Sequence, residues 1–289
     1  MTKLTNCGLA LVISGCLAGE EVELAPAGDE QVLGILAEPA EAAPGTPISV
    51  TLLVAGEDGL RSDVAVRWSL CRTPKALSES GFASRSCVAG EDPALPERGV
   101  VANVRVPADA CARFGGADAA DLRPRDADPS GGYYQPLRVA LPETQVSLER
   151  LRLLCPLRDA PLAIAQDYAA SYVANRNPAF DEAAEAVVSS VQPGAEIDLR
   201  VRAQISSFER YMVYEHGTNR LQTRTESLEV AWHVSRGEVL ESQGAVAADG
   251  SAQTRFRAPA GGGDVLVWVI LRDDRGGLNY RMQRLRIGP

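Results

Sequence analysis

Histidine is nearly absent from this chain of 289 residues, which contains only His216 and His233. Enzymes use imidazole more often than any other side chain as a general acid or base, so its scarcity removes most catalytic arrangements. His233 falls on the expected exposed face of a strand, where a lone histidine is usually not catalytic. The motifs G-x-S-x-G, H-E-x-x-H and the phosphate-binding glycine loop are also missing. We therefore expect no enzymatic activity and no cofactor.

Positive charge is limited as well. The 29 Lys and Arg residues are outnumbered by 38 Asp and Glu residues, which gives a net charge of −9 and a pI of about 4.9. A nucleic-acid binder needs a clustered basic face. The arginines at 281, 284 and 286 are most simply a solvated strand face, so we expect no nucleic-acid partner.

A short apolar segment at the N-terminus, Leu9–Ile13, follows Lys3 and is too short to span a bilayer as a helix. It leads into Ile13-Ser14-Gly15-Cys16, which resembles the lipobox of bacterial lipoproteins. The resemblance implies a signal peptide over residues 1–15 and lipidation of Cys16, and an acyl chain would hold the protein at a membrane surface. The alternative is an ordinary signal, cleaved after Ala18, and a secreted protein.

The residue after Cys16 is Leu17 and not aspartate, which favours the outer membrane of a Gram-negative bacterium over retention in the inner membrane. We therefore expect the membrane, reached through the lipid anchor, to be one partner, with another envelope protein or a glycan as a possible second. Segment 16–30 is rich in small and acidic residues and contains a proline, a composition typical of a flexible tether.

Four of the six cysteines remain once Cys7 leaves with the signal and Cys16 is lipidated. An even number of cysteines in an exported chain indicates disulfides. Their irregular spacing, with no histidine among them, argues against a zinc site. Three pairings are possible, and we favour the local pairs Cys71–Cys87 and Cys111–Cys155.

Two tryptophan-centred segments indicate an internal repeat. Leu228–Val234 alternates apolar and polar residues around Trp232, and Val64–Leu70 does the same around Trp68. In each half a strand precedes the tryptophan strand, and a strand followed by Pro-Ala and a final hairpin come after it. We expect about seven short strands per copy, with the tryptophan strand central in each sandwich.

Between the copies, Asp159-Ala160-Pro161 has the composition of a helix start, and apolar residues from Ile164 to Val173 recur at helical spacing. We expect one helix that wedges between the domains. The expected boundaries are a first β-sandwich at 31–157, a helical connector at 158–177 and a second β-sandwich at 178–289.

Two strands near the C-terminus carry unusual patterns. Val265–Leu271 is apolar on both faces, as in a central strand. In the last strand Tyr280 and Met282 share one phase, whereas Leu285 and Ile287 share the other. A slip of one residue predicts a β-bulge near Gln283.

The repeat of tryptophan strands resembles the tandem immunoglobulin-like (Ig-like) domains of bacterial surface proteins. Together with the lipobox, it makes the chain similar to envelope lipoproteins of Gram-negative bacteria. This resemblance implies an all-β fold with two tandem Ig-like β-sandwiches joined by one connecting α-helix. It also implies a non-enzymatic structural or protein- or glycan-binding role. The cysteines do not flank the tryptophans as in antibody domains, so no inter-sheet disulfide is implied.

An insertion in the second copy concentrates aromatic residues and methionine, which are otherwise scarce. If they line an exposed edge, they would suit a partner surface, where such residues are enriched. The alternative is an extra strand pair packed on its own sheet. The partner-binding candidates are Phe208, Tyr211, Met212, Tyr214 and His216.

Two acidic pairs are weak candidates for calcium binding, Asp126 with Asp128 and Asp273 with Asp274. Calcium requires six to eight oxygen ligands, and neither segment supplies them alone, so turn formation is the simpler interpretation. The same aspartates carry the alternative function, an exported carboxylate-dependent hydrolase or carbohydrate-active protein. That chemistry would need two carboxylates facing each other across a cleft.

Overall fold

The structure is a computed structural model. It describes residues 31–56, 58–76, 78–116, 129–141, 146–182 and 190–288. The expected signal peptide, Cys16 and the tether lie outside the described residues, as do Asp126 and Asp128. Within the described ranges, no helix is long and apolar enough to cross a membrane.

The described residues of the first half form eight strands: β1 (Gln31–Glu38), β2 (Glu41–Ala42), β3 (Pro47–Gly56), β4 (Gly59–Leu60), β5 (Arg67–Leu70), β6 (Val101–Arg105), β7 (Tyr133–Ala140) and β8 (Val146–Leu153). In one sheet β3 pairs with β1 along one edge and with β6 and β4 along the other. The second sheet has the order β2-β8-β7-β5. The inner faces of the two sheets share one apolar core around Trp68, which is fully buried.

Within the part of the second half that the structure describes, ten more strands follow: β9 (Ser190–Val191), β10 (Glu196–Arg202), β11 (Arg210–Glu215), β12 (Arg220–Thr225), β13 (Leu228–Val234), β14 (Glu238–Val239), β15 (Gln243–Ala245), β16 (Ser251–Arg257), β17 (Gly263–Asp273) and β18 (Leu278–Ile287). One sheet has the order β10-β16-β14 and the other β15-β13-β17-β18-β9. Strands β11 and β12 pair only with each other among the described strands, and we call them the insertion hairpin.

The two sandwiches repeat the same pairing. β3 with β6 corresponds to β10 with β16, and β5, β7 and β8 correspond to β13, β17 and β18. Each copy also closes one sheet with a short parallel pair, β2–β8 and β9–β18. The tryptophan lies on the strand that carries the buried tryptophan of immunoglobulin domains. The fold is therefore all-β with tandem Ig-like sandwiches, as expected.

The tryptophan strand is central in only one copy. β13 lies between β15 and β17, whereas β5 ends its sheet and pairs with β7 alone among the described strands, apart from a single bridge between Ser69 and Ala94. The expectation of a central strand was therefore wrong for Trp68. Its indole reaches the centre of the core all the same, and Nε1 donates a hydrogen bond to the Gly99 carbonyl at 2.8 Å.

Two disulfides pin the long connections of the first sandwich, in the local pairing that the sequence favoured. Cys87, on the short helix α1 (Arg85–Ala89), is bonded to Cys71, and Cys111, on α2 (Ala110–Phe114), is bonded to Cys155. The described part of the second sandwich contains no cysteine, so core packing and polar contacts hold it.

The two sandwiches meet face to face through a continuous apolar cluster. The outer face of β1 and β3 contributes Leu33, Leu53 and Ala55, and the outer face of β17 and β18 contributes Leu266, Trp268, Ile270 and Leu278. Each of these side chains is at most 5% exposed. Fully burying one aliphatic or aromatic side chain stabilises a protein by roughly 1.5–3 kcal/mol. The cluster therefore makes free movement of the two domains costly.

This contact explains the unusual patterns near the C-terminus. In β17, Val265, Val267, Val269 and Leu271 pack into the second sandwich's own core, while the alternate residues pack against the first sandwich. β18 pairs with β17 in unbroken register, so the β-bulge predicted near Gln283 was wrong. The phase changes because Leu278 and Tyr280 face the first sandwich, whereas Leu285 and Ile287 face the second core.

The connecting helix α3 runs from Leu162 to Ser171 and starts at Pro161, without a hydrogen bond from the side chain of that cap. It packs against the insertion hairpin, through a cluster that includes Tyr168 and Tyr214. None of its residues belongs to the apolar cluster between the sheets. The main contact between the sandwiches is made directly by the sheets. The helix packs between Tyr133 of β7 and the insertion hairpin, so the expected wedge exists only beside that main contact.

Candidate functional site

The insertion hairpin is not an open edge lined with aromatic residues. Tyr211 and Tyr214 are 2% and 6% exposed, and Phe208 packs on the core of the second sandwich. Met212 is half-buried beside α3. Only His216 is exposed among the five partner-binding candidates, and its Nδ1 lies 3.5 Å from the buried carboxylate of Asp159. The structure thus distributes these residues over several environments within the chain.

Strand β11 of the insertion hairpin is covered on both faces by the protein itself, whereas four of the six residues of β12 are exposed. On one face, Tyr214 and Met212 pack against α3. On the other, the ring of Tyr211 lies 4.6 Å from the guanidinium carbon of Arg275, and its hydroxyl donates to Asp274 Oδ2 at 3.3 Å. Arg224, on the second strand, donates to the Pro129 carbonyl of the first sandwich. The hairpin therefore ties the second domain to the first.

A buried arginine organises the region where hairpin, connector and second sandwich meet. Arg275 is 0% exposed. It donates to Glu226 Oε1 at 2.5 Å, to Glu209 Oε2 at 2.6 Å and to the Val173 carbonyl at 2.9 Å. A buried charge is tolerated when it is paired and its donors are satisfied. The three contacts meet that condition and fix the connector to the turn between β17 and β18.

A second buried ion pair lies on the first sandwich. Arg152 Nε is 3.5 Å from Glu41 Oε2, and both side chains are almost completely buried. Arg152 Nη1 also donates to the hydroxyl of Tyr134 at 2.7 Å, while the hydroxyl of Tyr172 donates to Glu41 at 2.8 Å. Burial raises the pKa of Tyr172, which keeps its hydroxyl protonated and able to donate.

The segment after α3 connects the two ion-pair groups. The backbone N–H of Asn175 donates to Glu41 at 2.7 Å, and its side chain donates to Asp273 Oδ1 at 3.2 Å. Asn177 donates to the Ala37 carbonyl at 2.8 Å and accepts from the backbone N–H of Leu278 at 2.9 Å. A segment that bonds to both sandwiches in this way acts as a strut and not as a flexible linker.

Two buried carboxyl groups in this region, Glu226 and Asp273, have raised pKa values. Burial raises the pKa of Glu226 to about 7, the nearby Asp273 adds to the rise, and Arg275 opposes it. Burial also raises the pKa of Asp273, although N–H donors from Gly277, Asn175 and Arg275 oppose the rise. Perturbed carboxylates are typical of active sites, but buried structural networks produce them too.

The structure places Asp273 and Asp274 in a turn. Asp273 is buried and accepts the backbone N–H groups of Arg275 at 2.9 Å and Gly277 at 2.8 Å. These donors occupy the oxygen that a calcium ion would need, an arrangement typical of a turn-forming aspartate. With 8% of its surface exposed, Asp273 offers little carboxylate surface to a substrate. Asp126 and Asp128, the other pair, lie outside the described residues.

The described residues contain one group whose ligand atoms lie close enough to hold a metal ion, Cys71, Cys87 and Asp92, within 4.8 Å of one another. The two sulfurs are joined in a disulfide, so they cannot act as thiolate ligands.

A small cavity of about 140 Å³ opens at one end of the first sandwich, a feature that the sequence analysis did not anticipate. Gln135, 1% exposed, lines it and donates through Nε2 to the Cys71 carbonyl. Its Oε1 is buried and has no hydrogen-bond partner in the described part of the chain. The sequence does hold a signal for it, because Gln135 shares its strand phase with the core residues Leu137 and Val139.

The rest of the cavity wall is mixed. Arg72, Asp109 and Arg113 contribute charged groups to the wall. Pro107, Phe114 and Cys71 contribute apolar surface. Asp109 Oδ2 accepts from Arg113 at 2.6 Å, and Arg113 also donates to the Arg72 carbonyl at 2.8 Å. This small recess combines donors, acceptors and apolar surface, the composition of a site for a small polar group.

No family model matches the chain, and no curated protein matches it. Among solved structures, the D0–D1 domain of intimin aligns over 88% of this chain and 98% of its own, with 13% identity and a TM-score of 0.23. The Yersinia pseudotuberculosis adhesin InvE aligns over 89% and 58%, with 13% identity and a TM-score of 0.23. The Ig1-2 module of the Drosophila receptor tyrosine phosphatase DLAR aligns over 90% and 99%, with 8% identity and a TM-score of 0.23. Because these scores are low, the fold assignment depends on the sheet pairing described above.

Proposed function

We propose that this protein is a non-enzymatic lipoprotein of the bacterial envelope, anchored through Cys16, whose two sandwiches act together as one rigid structural or binding module. The observation that carries the proposal is the face-to-face docking of the two sheets around Trp268 and Leu53. The default expectation for two domains in one chain is relative motion, unless their interface is large and apolar.

The polar contacts around the interface support rigidity for a second reason. Asn175 satisfies the buried carboxylates Glu41 and Asp273, which belong to different sandwiches. If the sandwiches separated, these groups would lose donors that water would have to replace. Removing one partner from a buried charged group costs about 3–5 kcal/mol. A module held in this way can transmit force or present a surface in a fixed orientation.

The envelope location is supported by the N-terminal sequence and the disulfides. Disulfides persist in oxidising compartments such as the periplasm and the cell surface, and the first sandwich contains two. The lipobox-like Ile13-Ser14-Gly15-Cys16 precedes a small, acidic stretch that would let the module extend from the membrane.

The anchor is tested by fractionating a Gram-negative host that expresses the full chain, with and without the signal-peptidase inhibitor globomycin. We expect the Cys16→Ser variant to leave the membrane fraction and globomycin to cause accumulation of the uncleaved precursor. Cys7→Ser is the matched control, because Cys7 would be removed with the signal, and it should fractionate as the unaltered protein does. Membrane retention of Cys16→Ser would overturn the anchor.

A further inference from the structure

We propose that an arginine face at the end of β18 binds the acidic segment 16–30 of the same chain, an inference that goes beyond the proposed function because it concerns how the tether is held. The arginine face consists of Arg284 and Arg286 with Arg236 beside them. It continues the surface through which the second sandwich docks on the first, and it begins where the apolar cluster ends.

The register of β17 and β18 places the arginine face directly beyond the joint. Arg284 pairs with Leu266, which is buried in the apolar cluster, and Arg286 pairs with Asp264. Residues that are directly opposite in an antiparallel pair share one face of the sheet. The side chains of Arg284 and Arg286 are 62% and 71% exposed. The described part of the first sandwich therefore leaves this end of the sheet open.

Positive charge is in excess on the arginine face. Two arginines share one carboxylate, since Asp264 accepts from Arg284 Nη1 at 3.2 Å and from Arg286 Nη1 at 3.1 Å. Arg236 Nη2 donates to the Gly262 carbonyl at 3.0 Å, in the connection that leads into β17, and it has no carboxylate partner among the described residues. Three guanidinium groups thus face a single acidic group.

The chain enters the first sandwich close to the arginine face. Gln31, the first residue of β1, pairs with Ala55, which lies beside the β3–β4 turn that contains Gly59. A methyl group on Gly59 would lie 3.8 Å from Met282 Sδ, and Met282 precedes Arg284 by two residues on β18. With strands about 4.8 Å apart and a rise of about 3.3 Å per residue, Gln31 lies within roughly 20 Å of Arg284.

The segment that precedes Gln31 has the complementary charge. An extended chain spans about 3.4 Å per residue, so Glu23, eight residues earlier, can reach about 27 Å and hence the arginine face. Covalent attachment keeps the segment at a high effective concentration, which compensates for the weakness of exposed ion pairs. Segment 16–30 contains no basic residue, and its carboxylates belong to Glu20, Glu21, Glu23, Asp29 and Glu30.

An anionic lipid surface is the other occupant that an arginine face could take, and the charge of the chain disfavours it. The protein has a net charge of −9, and the acidic segment would lie between it and the membrane. Basic segments that bind anionic lipids carry about four to eight Lys or Arg residues, more than this face provides. We therefore assign the face to the chain's own acidic segment.

The test is the distance between two spin labels, measured by double electron–electron resonance on the purified full chain in neutral detergent micelles. One label is attached at Ala25→Cys and the other at Gly261→Cys, a turn position where a side chain meets no atom within 4 Å. A free acidic segment repels itself, so raising NaCl from about 50 mM to about 1 M would shorten the distance. A bound segment is released instead, and we expect the distance to lengthen and its distribution to broaden. Shortening or no change overturns the proposal.

Charge reversal locates the binding. Arg284→Glu combined with Arg286→Glu should abolish the lengthening, and circular dichroism should show an unchanged fold because both side chains are exposed. Adding Glu21→Arg and Glu23→Arg should restore the lengthening, a rescue that a merely structural role of the arginines would not give. Lengthening that persists after charge reversal, or a rescue that fails, overturns the site.

The matched control changes the same charge elsewhere on the second sandwich. Arg220→Glu combined with Arg255→Glu alters exposed positions on β12 and β16 and should leave the lengthening as it is in the unaltered protein. Its loss in this variant would mean that net charge and not the arginine face holds the segment, which overturns the proposal.

Lipid vesicles separate the two occupants. At about 50 mM NaCl, where charges are screened least, we expect the same short label distance in vesicles of phosphatidylcholine and in vesicles that contain phosphatidylglycerol. A longer distance in phosphatidylglycerol alone would assign the face to lipid headgroups and overturn the proposal. All five carboxylates follow Ala18, so the segment stays on the chain whether the signal is removed before Cys16 or after Ala18. The label distance is therefore independent of the fractionation that tests the anchor.

Discussion

Arg275 and Glu226 form an ion pair in which Arg275 Nε lies 2.5 Å from Glu226 Oε1 and neither side chain exceeds 1% exposure. Glu209 completes the pairing from the start of the insertion hairpin, at 2.6 Å. The pair lies where the β17–β18 turn, the hairpin and the segment after α3 converge. Its integrity therefore reports on the joint between the sandwiches.

Removing this arginine should destabilise the protein strongly. In Arg275→Met, Glu226 keeps its burial but loses its cation, and Glu209 keeps only its pairing with Arg176. Breaking a buried pair from one side costs about 3–5 kcal/mol. Urea unfolding measures the loss. Arg257→Met is the control, because Arg257 pairs with Glu196 and Glu238 at an exposed site, and such pairs contribute only about 0–1 kcal/mol. Equal losses in the two variants would contradict the assignment of a buried pair.

Stability should depend on pH through Glu226. Burial and the nearby Asp273 raise the pKa of Glu226 in the folded protein to about 7, from an ordinary value of 4.5 for a glutamate. A raised pKa means that the folded state holds the proton more tightly, so this contribution is fully present below about pH 4.5 and is lost as the pH rises through about 7. The backbone N–H of Glu209 and the guanidinium of Arg275 both donate to the Glu226 carboxylate. These donors favour its charged form and therefore limit how much stability is lost at high pH.

The pH dependence is measured as the free energy of unfolding between pH 4.5 and pH 8, comparing the unaltered protein with Glu226→Gln. The glutamine stays neutral, so the fall in stability toward higher pH should become shallower in this range. Glu238→Gln, at an exposed position, should leave the slope unchanged. An identical slope in Glu226→Gln would show that this carboxyl does not titrate in the range.

Disrupting the apolar cluster should separate the sandwiches without unfolding them. Leu53→Asp places a charge among Leu266, Trp268 and Ile270, where a charged group cannot be solvated. Small-angle X-ray scattering should show a larger radius of gyration, while circular dichroism retains the β signal. Leu162→Asp is the control, because Leu162 is 75% exposed on α3. An unchanged radius for Leu53→Asp would mean that the cluster does not hold the domains together.

The disulfides should stabilise the first sandwich to different extents. Cys111–Cys155 spans 44 residues and Cys71–Cys87 spans 16. Chain-entropy arguments give about 4 kcal/mol for the longer loop and about 3 kcal/mol for the shorter one. Replacing both cysteines of one pair by serine, followed by hydrogen exchange, measures each contribution. Protection should fall in the first sandwich and remain in β13 and β17; a greater loss in the second sandwich would contradict this prediction.

The repeat and the core strands could be predicted from the sequence because they depend on local alternation. Trp68 and Trp232 mark equivalent strands, and the residues two positions away from each point into the same core. The preference for local cysteine pairs also agrees with the structure.

Alternation shows that a face is buried but not what buries it. The second apolar face of β17 indicated a central strand, and β17 is indeed third of five in its sheet, but that face is buried by the other sandwich. The phase change in β18 indicated a bulge, yet it results from contact with the other sandwich. For the same reason Tyr211 and Tyr214 could be taken for an exposed surface, because the helix and turn that cover them are distant in sequence.

The sequence by itself determined the all-β class, the duplication and the candidate lipid anchor, because periodicity, order and short motifs are properties of neighbouring residues. Only the tertiary structure decided that the two sandwiches dock into one body, that Arg275 is buried among carboxylates, and that Gln135 lines a cavity with an unpaired acceptor. These features depend on contacts between residues far apart in the chain, and such contacts arise only when whole sheets are brought together by the burial of their apolar faces.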